Sequence, residues 1–245
     1  MSQEILIIIA GLVVIFSAGF IQGVTSFGFS LFSLPLLGLF MPLKLVVPML
    51  VVYSLIMNSM ILYNVRKDIN LKKIYIMIIS SFIATPIGAN LLINVSESLL
   101  KISVGIIVTI SAIAFYFGYK VKVKNEKIAY IPIGFFSGLL NGSVSLSGPP
   151  VILFLTNQGV KKQTFRATLT AYFWVLNIMT VITFTYKGLI NGEVMEYTGY
   201  LLPALIVGVL LGIKLGNKVK EEIFEKLTTV LIIIMGILSI ISGMK

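Results

Sequence analysis

Two short segments of this sequence concentrate side chains that can donate hydrogen bonds without carrying a charge. The segment 141–150 reads Asn-Gly-Ser-Val-Ser-Leu-Ser-Gly-Pro-Pro, and more amide and hydroxyl groups lie within 22–33. Such groups can bind the oxygens of a sulfonate or carboxylate, because each donates a hydrogen bond and none is buried as an ion. The candidate ligands are Gln22, Thr25, Ser26, Ser30, Ser33, Asn141, Ser143, Ser145 and Ser147.

Serine and proline near the end of each segment predict where a short helix begins. Ser147 suits an N-cap, and the two prolines after Gly148 suit a first turn, since proline lacks the N–H that has no partner there. We therefore expect a helix to begin near Gly148, with its partly positive N-terminus available to an anion. Pro35 with Ser33 is expected to act in the same way in the first segment.

Four further polar residues are candidates outside these segments. Asn58 and Asn177 fall inside long apolar stretches, where a buried amide either joins helices or lines a pore. Tyr172 lies one turn from Asn177 and either lines an organic substrate or packs in the core. Arg166 follows a basic loop and either attracts anions at a cytoplasmic mouth or anchors the topology.

The elements that position these residues must be transmembrane helices. The chain has 245 residues, of which 58% are apolar and 11% charged, whereas soluble domains carry about a quarter charged residues. The stretches 5–43, 45–65, 74–96 and 102–119 contain no charge, and about 20 apolar residues cross a bilayer. We predict full spans at 45–64, 74–95, 99–119, 167–187, 197–216 and 226–244, in an all-α polytopic membrane protein.

The basic residues predict the orientation of these spans. Fifteen of the 19 lie in four clusters, at 66–73, 120–127, 161–166 and 214–226, which the positive-inside rule assigns to the cytoplasm. Both termini are then extracytoplasmic. The first four residues contain an acid and no basic residue, which argues for a first membrane segment rather than a cleaved signal peptide. The net charge of +10 is thus explained by topology and does not indicate nucleic-acid binding.

The stretches 5–43 and 128–157 must each start and end on one side of the membrane, so we predict two broken helix pairs. Glycine and proline oppose a continuous helix in 141–150, and we expect two half-helices that meet near the middle of the membrane. A shift of 115 residues aligns the two stretches, and a shift of 119 aligns Tyr53 and Asn58 with Tyr172 and Asn177. Each half, 1–122 and 123–245, is therefore predicted to be one inverted repeat with a broken helix pair or hairpin followed by three full helices. The first stretch is the longer of the two and has room for an opening helix that crosses fully. The glycines that align at the shift of 115 are expected to allow close helix packing; they are Gly19, Gly23, Gly134 and Gly138.

Several classes of function lack the residues they need. The chain has no cysteine and no histidine, which removes thiol chemistry and the commonest metal ligand. No acid falls inside a predicted span, so a proton relay through a membrane carboxylate is not expected. We predict no catalytic residue, no metal site, no cofactor and no enzymatic activity. The sequence leaves a homo-oligomer open.

The two glycine-rich motifs resemble those of the TauE/SafE family, the sulfite exporter and toluene sulfonate uptake permease group. The copies here run from Gly19 to Pro35 and from Gly134 to Pro150, and the stretch 164–168 also resembles the family. The first copy reads Phe29-Ser30-Leu31 where the family is richer in glycine, and Ser145 and Ser147 replace common glycines. The resemblance implies transport of sulfite, organosulfonates or other small organic anions across the cell (inner) membrane. The alternatives are a channel or transporter for a different small solute and a non-catalytic membrane scaffold.

Overall fold

The apolar stretches of the sequence fold into helices that satisfy their backbone hydrogen bonds internally, as lipid requires. The computed structural model describes residues 3–65, 74–117, 126–157, 162–215, 233 and 237–244. The helices are α1 (Gln3–Thr25), α2 (Phe29–Leu37), α3 (Leu43–Val65), α4 (Tyr75–Asn94), α5 (Glu97–Tyr116), α6 (Glu126–Val144), α7 (Gly148–Asn157), α8 (Lys162–Tyr186) and α9 (Gly192–Leu215). Residues 237–243 are also helical.

Among the described residues, six helices are long and apolar enough to cross a membrane: α1, α3, α4, α5, α8 and α9. This confirms the all-helical membrane fold and five of the predicted spans. The helices α5, α8 and α9 begin a few residues before their predicted starts, so that Glu97 and Glu193 lie in first turns. Most of the predicted span 226–244 and of the predicted basic loops lies outside the described residues, as does the predicted boundary at 122/123.

Each predicted broken pair is a long helix followed by a short one. The long arms α1 and α6 have 23 and 19 residues, and the short arms α2 and α7 have 9 and 10. At 1.5 Å per residue α6 is about 28 Å long, close to the roughly 30 Å of a hydrocarbon core. The apolar part of α6 is Ile128–Val144, and α6 is not among the six helices that are long and apolar enough to cross. The predicted break between two helices is present, while their meeting near the middle of the membrane stays a prediction.

The second break confirms the predicted helix start, and the first break does not. The helix α7 begins at Gly148, as its serine and prolines indicated. The helix α2 begins at Phe29 after Gly28, whereas Pro35 and Ser33 lie inside it, so the prediction for these two residues was wrong. The reason is backbone geometry, because Gly28 takes a left-handed φ of 97° that glycine adopts without steric cost, and this already ends the preceding turn.

Equivalent helix bounds in the two halves lie 119 residues apart. The spacing separates the ends of α1 and α6, the starts of α2 and α7, and the starts of α3 and α8. It is also the spacing of Asn58 and Asn177, and of Ser26 and Ser145, which share a left-handed φ of 66° and 56°. The 115-residue alignment of the glycine motifs was therefore four residues away from the register of the helices.

Glycines let each long arm pack on a helix from the other half of the chain. The arm α1 packs on α9, and α6 packs on α4. At the 119-residue spacing, Gly19 and Gly138 are equivalent, and a side chain on either would meet a backbone carbonyl oxygen, of Leu205 or Ser81. Gly23 and Gly142 likewise face the carbonyl oxygens of Val209 and Thr85. The predicted packing role of Gly19, Gly23, Gly134 and Gly138 agrees with these contacts, and the inverted orientation of the halves stays a prediction.

Candidate functional site

A cavity of about 40 Å³ lies between the two breaks and the central helices α3 and α8. Its lining includes apolar and aromatic side chains, among them Phe29, Met57 and Phe173. The polar part of the lining is uncharged, since no lysine, arginine, aspartate or glutamate lines the cavity among the described residues. The polar lining residues are Gln22, Ser30, Ser54, Asn58, Ser145, Ser147 and Asn177.

The cavity gathers about half of the residues predicted from the sequence. Those that line it are Gln22, Ser30, Asn58, Ser145, Ser147, Gly148 and Asn177. Those that do not line it are Thr25, Ser26, Ser33, Asn141, Ser143 and Tyr172. The hydroxyls of Thr25, Ser33 and Ser143 each donate to a carbonyl of their own helix, of Ile21, Phe29 and Leu139. Tyr172 is fully buried in an apolar cluster with Phe154 and Leu176.

The amide of Gln22 holds the first break together from inside α1. Its Oε1 accepts a hydrogen bond from the Phe29 backbone N–H at 3.1 Å, and its Nε2 donates to the Ser26 carbonyl at 3.2 Å. The Gln22 side chain therefore accepts from the first N–H of α2 and links both ends of the break. The N–H groups of Ser30 and Leu31 follow in the first turn of α2, where α-helices leave N–H groups without intrahelical partners.

Arg166 contacts the same break from α8. Its Nε donates to Ser26 Oγ at 2.8 Å, and its Nη2 lies 3.4 Å from the Gly23 carbonyl oxygen in the last turn of α1. A cation at the C-terminal end of a helix interacts favourably with the partial negative charge there. Arg166 does not line the cavity, and its predicted role at a cytoplasmic mouth stays a prediction.

The second break is held by hydroxyl groups and by an amide pair. The Ser137 hydroxyl donates to the Ser147 carbonyl at 2.7 Å, and the Ser145 and Ser30 hydroxyl oxygens are 3.4 Å apart. The last contact joins the two breaks directly. Because residues 149 and 150 are prolines, Gly148 is the one residue of the first three in α7 that has an N–H to offer a ligand.

Asn141 orients Asn177 instead of lining the cavity itself. Its Nδ2 lies 3.2 Å from Asn177 Oδ1 and 2.8 Å from Thr180 Oγ1, and all three side chains are buried. Since Oδ1 of Asn177 is engaged, its Nδ2 is the group left to donate to a ligand. Asn58, the equivalent residue in α3, is 1% exposed and its Oδ1 has no hydrogen-bond partner within the described part of the chain.

The unpartnered Oδ1 of Asn58 is an acceptor, so the partner it lacks is a donor such as a water molecule and not the oxygen of an anion. The neutral donors that the cavity offers to a small polar solute come from the starts of two helices and from the hydroxyls of Ser30, Ser145 and Ser147. The cavity has room for about three or four water molecules, at the roughly 10–15 Å³ that one water requires.

Sequence reasoning missed Ser54, which lines the cavity and is 7% exposed. It precedes Asn58 by four residues, and residues four apart share one face of a helix, so this spacing was the available signal. Two aromatic residues near the asparagines in sequence, Tyr53 and Trp174, form hydrogen bonds away from the cavity. The Tyr53 hydroxyl donates to the Thr198 carbonyl at 2.8 Å, and Trp174 Nε1 donates to Ser59 Oγ at 2.9 Å.

No group of three or more histidine, cysteine or acidic side chains that could bind a metal ion occurs within the described ranges. The absence of cysteine and histidine from the sequence already leaves only carboxylates as charged ligands. The described acids that make hydrogen bonds have other partners. Glu97 accepts from the Leu43 N–H at 2.7 Å, and Glu196 accepts from the Tyr200 hydroxyl at 2.8 Å.

Comparison with known proteins gives two matches. The model of the family described as sulfite exporter TauE/SafE matches residues 11–239. A curated protein of Cupriavidus necator, named probable sulfite/organosulfonate exporter TauE, is 24% identical over 224 residues, which cover 86% of this chain and 85% of that protein. No match was found among solved structures.

Proposed function

From the premise that this chain belongs to the sulfite exporter TauE/SafE family, we propose that this multi-pass membrane transporter carries small anions, namely sulfite or organosulfonates, across the cell membrane. The family match covers both broken pairs and the six apolar helices. The named relative from Cupriavidus necator supports the same substrate class, at an identity that leaves the exact anion open.

The observation that carries the proposal is the uncharged donor cavity between the starts of α2 and α7. Each helix N-terminus carries about half a positive charge, so two of them together offset about one negative charge. The Asn177 Nδ2 and the three hydroxyls add hydrogen bonds without the cost of a buried cation. The apolar wall of Phe29, Met57 and Phe173 suits the carbon part of an organosulfonate.

The arrangement of the halves supports alternating access. The packing of α1 on α9 and of α6 on α4 uses equivalent glycines, which is what two inverted repeats would produce. The site residues Asn58 and Asn177 lie on α3 and α8, one from each half, and the cavity lies where the two halves meet. We propose that rocking of one half against the other exposes this cavity to each side in turn.

Export without a coupling ion fits the residues present. The described acids near the helix ends include Glu97 and Glu193 in first turns and Glu196 one turn further into α9, and no described acid lines the cavity. The membrane potential supplies about 2.3 kcal/mol per elementary charge at 100 mV, outward for an anion in an inside-negative cell. Facilitated outward flow is therefore the proposed mechanism, with both termini outside the cytoplasm.

The alternative is a channel or transporter for a different small solute, which the neutral lining also accommodates. Transport in proteoliposomes distinguishes the two. Purified protein is reconstituted, and the uptake of sulfite, an alkanesulfonate, a carboxylate, a cation and a neutral solute is measured against an imposed potential. Anion uptake that reverses with the sign of the potential is expected, and uptake of the cation or the neutral solute alone would contradict the proposal.

The matched variants are Asn177→Asp and Asn94→Asp. The first replaces the cavity donor by a carboxylate of the same shape, which repels an anion, so anion uptake should fall at least about tenfold. The second makes the same change at an exposed helix end, where Asn94 donates only to the Asn90 carbonyl, and should leave uptake unchanged. Equal anion uptake by the two variants would mean that the anion does not bind beside Asn177. A protein that is only a membrane scaffold would show no uptake with either variant or without substitution.

A further inference from the structure

The first break contains a residue in a conformation that it does not adopt without support. Ser26 is fully buried and takes a φ of 66°. The left-handed region costs a non-glycine residue of the order of 1 kcal/mol or more, and surrounding contacts must hold it there. The Ser26 N–H donates to the Gln22 carbonyl at 2.7 Å, the Gln22 amide donates to the Ser26 carbonyl, and the Arg166 guanidinium donates to the Ser26 hydroxyl.

The contact with Arg166 comes from the other half of the chain, and at the second break the equivalent hydroxyl of Ser145 lies 3.4 Å from the uncharged Ser30 hydroxyl instead. The residue 119 positions before Arg166 is Val47, which is fully buried and has no donor in its side chain. Arg166 also lies on α8, the helix that carries Asn177. The helix α8 therefore carries one proposed anion donor, Asn177, and also contacts the backbone before α2 through Ser26 and Gly23.

We propose that Arg166 is a positioning residue for the anion site, which keeps the N-terminus of α2 facing the cavity at a constant distance from Asn177. It acts through Ser26 and does not touch the anion. Without Arg166, Ser26 leaves its left-handed conformation, and the N–H groups of Ser30 and Leu31 no longer point into the cavity. The second break, which Ser137 and Ser147 hold within one half, is not affected.

This inference rests on the anion transport proposed above, so its first test does not require transport. The chain contains no cysteine, which permits a single thiol beside each break, although Ser30 and Ser147 are not equivalent in the 119-residue register. The variants Ser30→Cys and Ser147→Cys are purified with Arg166 intact and with Arg166→Gln, and the rate of labelling by a negatively charged thiol reagent is measured. Arg166→Gln should raise the labelling rate of Ser30→Cys about tenfold, which is the factor expected for one lost hydrogen bond to a charged group. It should leave the labelling rate of Ser147→Cys unchanged.

The second test measures transport and includes a matched cation. Arg166→Gln should raise the KM for the anion about tenfold with a smaller change in kcat, and Arg166→Lys, which keeps the charge and one donor, should recover part of the loss. Lys44→Gln is the control, because Lys44 Nζ also donates to a carbonyl in the last turn of a helix, that of Ile93 at 2.8 Å, away from the cavity. It should not change KM.

Each contrary outcome overturns the inference. An unchanged labelling rate for Ser30→Cys would mean that Ser26 holds its conformation without Arg166. Equal increases for Ser30→Cys and Ser147→Cys would mean that Arg166 supports the whole fold rather than one break. If the protein carries no anion but the labelling is selective, the proposed function fails, and only the support of the first break by Arg166 remains.

Discussion

The first break, at Ser26–Gly28, and the second, at 145–147, have similar backbones and different supports. Both begin with a buried serine in the left-handed region, 119 residues apart. The amide side chains one turn earlier have diverged. Gln22 reaches across its own break to the Phe29 N–H, whereas Asn141 turns to α8 and bonds Asn177 and Thr180. A guanidinium supports the first break and a serine hydroxyl the second.

The difference shows that the two sides of the cavity provide different donors. The first break presents backbone N–H groups of Ser30 and Leu31, while two prolines remove most of them from the second. At the second break the hydroxyls of Ser145 and Ser147 line the cavity and replace the missing N–H donors. A symmetric backbone with asymmetric donors suits an anion that binds in one orientation, so substitutions at equivalent positions should have unequal effects.

The largest inequality is expected in stability, between Gly138→Ala and Gly19→Ala. A Cβ at Gly138 would overlap the Ser81 backbone, whereas one at Gly19 would lie 3.1 Å from the Leu205 carbonyl oxygen. From the cost of adding a methylene to a packed core, we expect about 3 kcal/mol for the first and about 1 kcal/mol for the second. Thermal unfolding in detergent measures both, with Gly199→Ala as the control, since nothing lies within 4 Å of its added Cβ. Equal losses of stability in the two variants would contradict the closer packing of α6 on α4 than of α1 on α9.

A smaller inequality is expected in transport, between Gln22→Ala and Asn141→Ala. Gln22→Ala removes the bridge across the first break and opens one wall of the cavity, so uptake should fall about thirtyfold, as for two lost buried hydrogen bonds. Asn141→Ala removes a donor behind Asn177 and leaves its Oδ1 without a partner, so uptake should fall about tenfold. Proteoliposome uptake decides the order, and a larger effect of Asn141→Ala would place the main donor set at the second break.

The smallest effects are expected for Ser30→Ala and Ser145→Ala. Their hydroxyl oxygens are 3.4 Å apart, at the long limit for a hydrogen bond, so the direct link between the breaks contributes little. Each substitution should lower anion affinity about twofold to fivefold through one lost neutral donor. Thermal-shift titration with sulfite measures the change. If the double variant loses only as much as either single variant, the two hydroxyls act as one donor group.

The sequence predicted the second break better than the first for a physical reason. At 147–150 the N-cap, glycine and prolines are consecutive, and each opposes or begins a helix locally. In the first segment the proline lies seven residues into α2, and the break depends on Gly28 and on the Gln22 amide. A proline near the end of a short helix was read as its beginning, because spacing alone does not tell which side of a proline is helical.

The order of apolar helices, the two breaks and the uncharged donor chemistry were determined by the sequence alone, because hydropathy, glycine and proline act within a few residues. The tertiary structure decided which donors face the cavity. That choice depends on the rotation of each helix about its axis and on partners distant in sequence, such as Arg166 and Ser26, which are 140 residues apart. It turned Asn141 and the hydroxyls of Thr25, Ser33 and Ser143 away from the cavity and brought Ser54 into it. Local pattern carries no information on such contacts, since they form only when the two halves pack together.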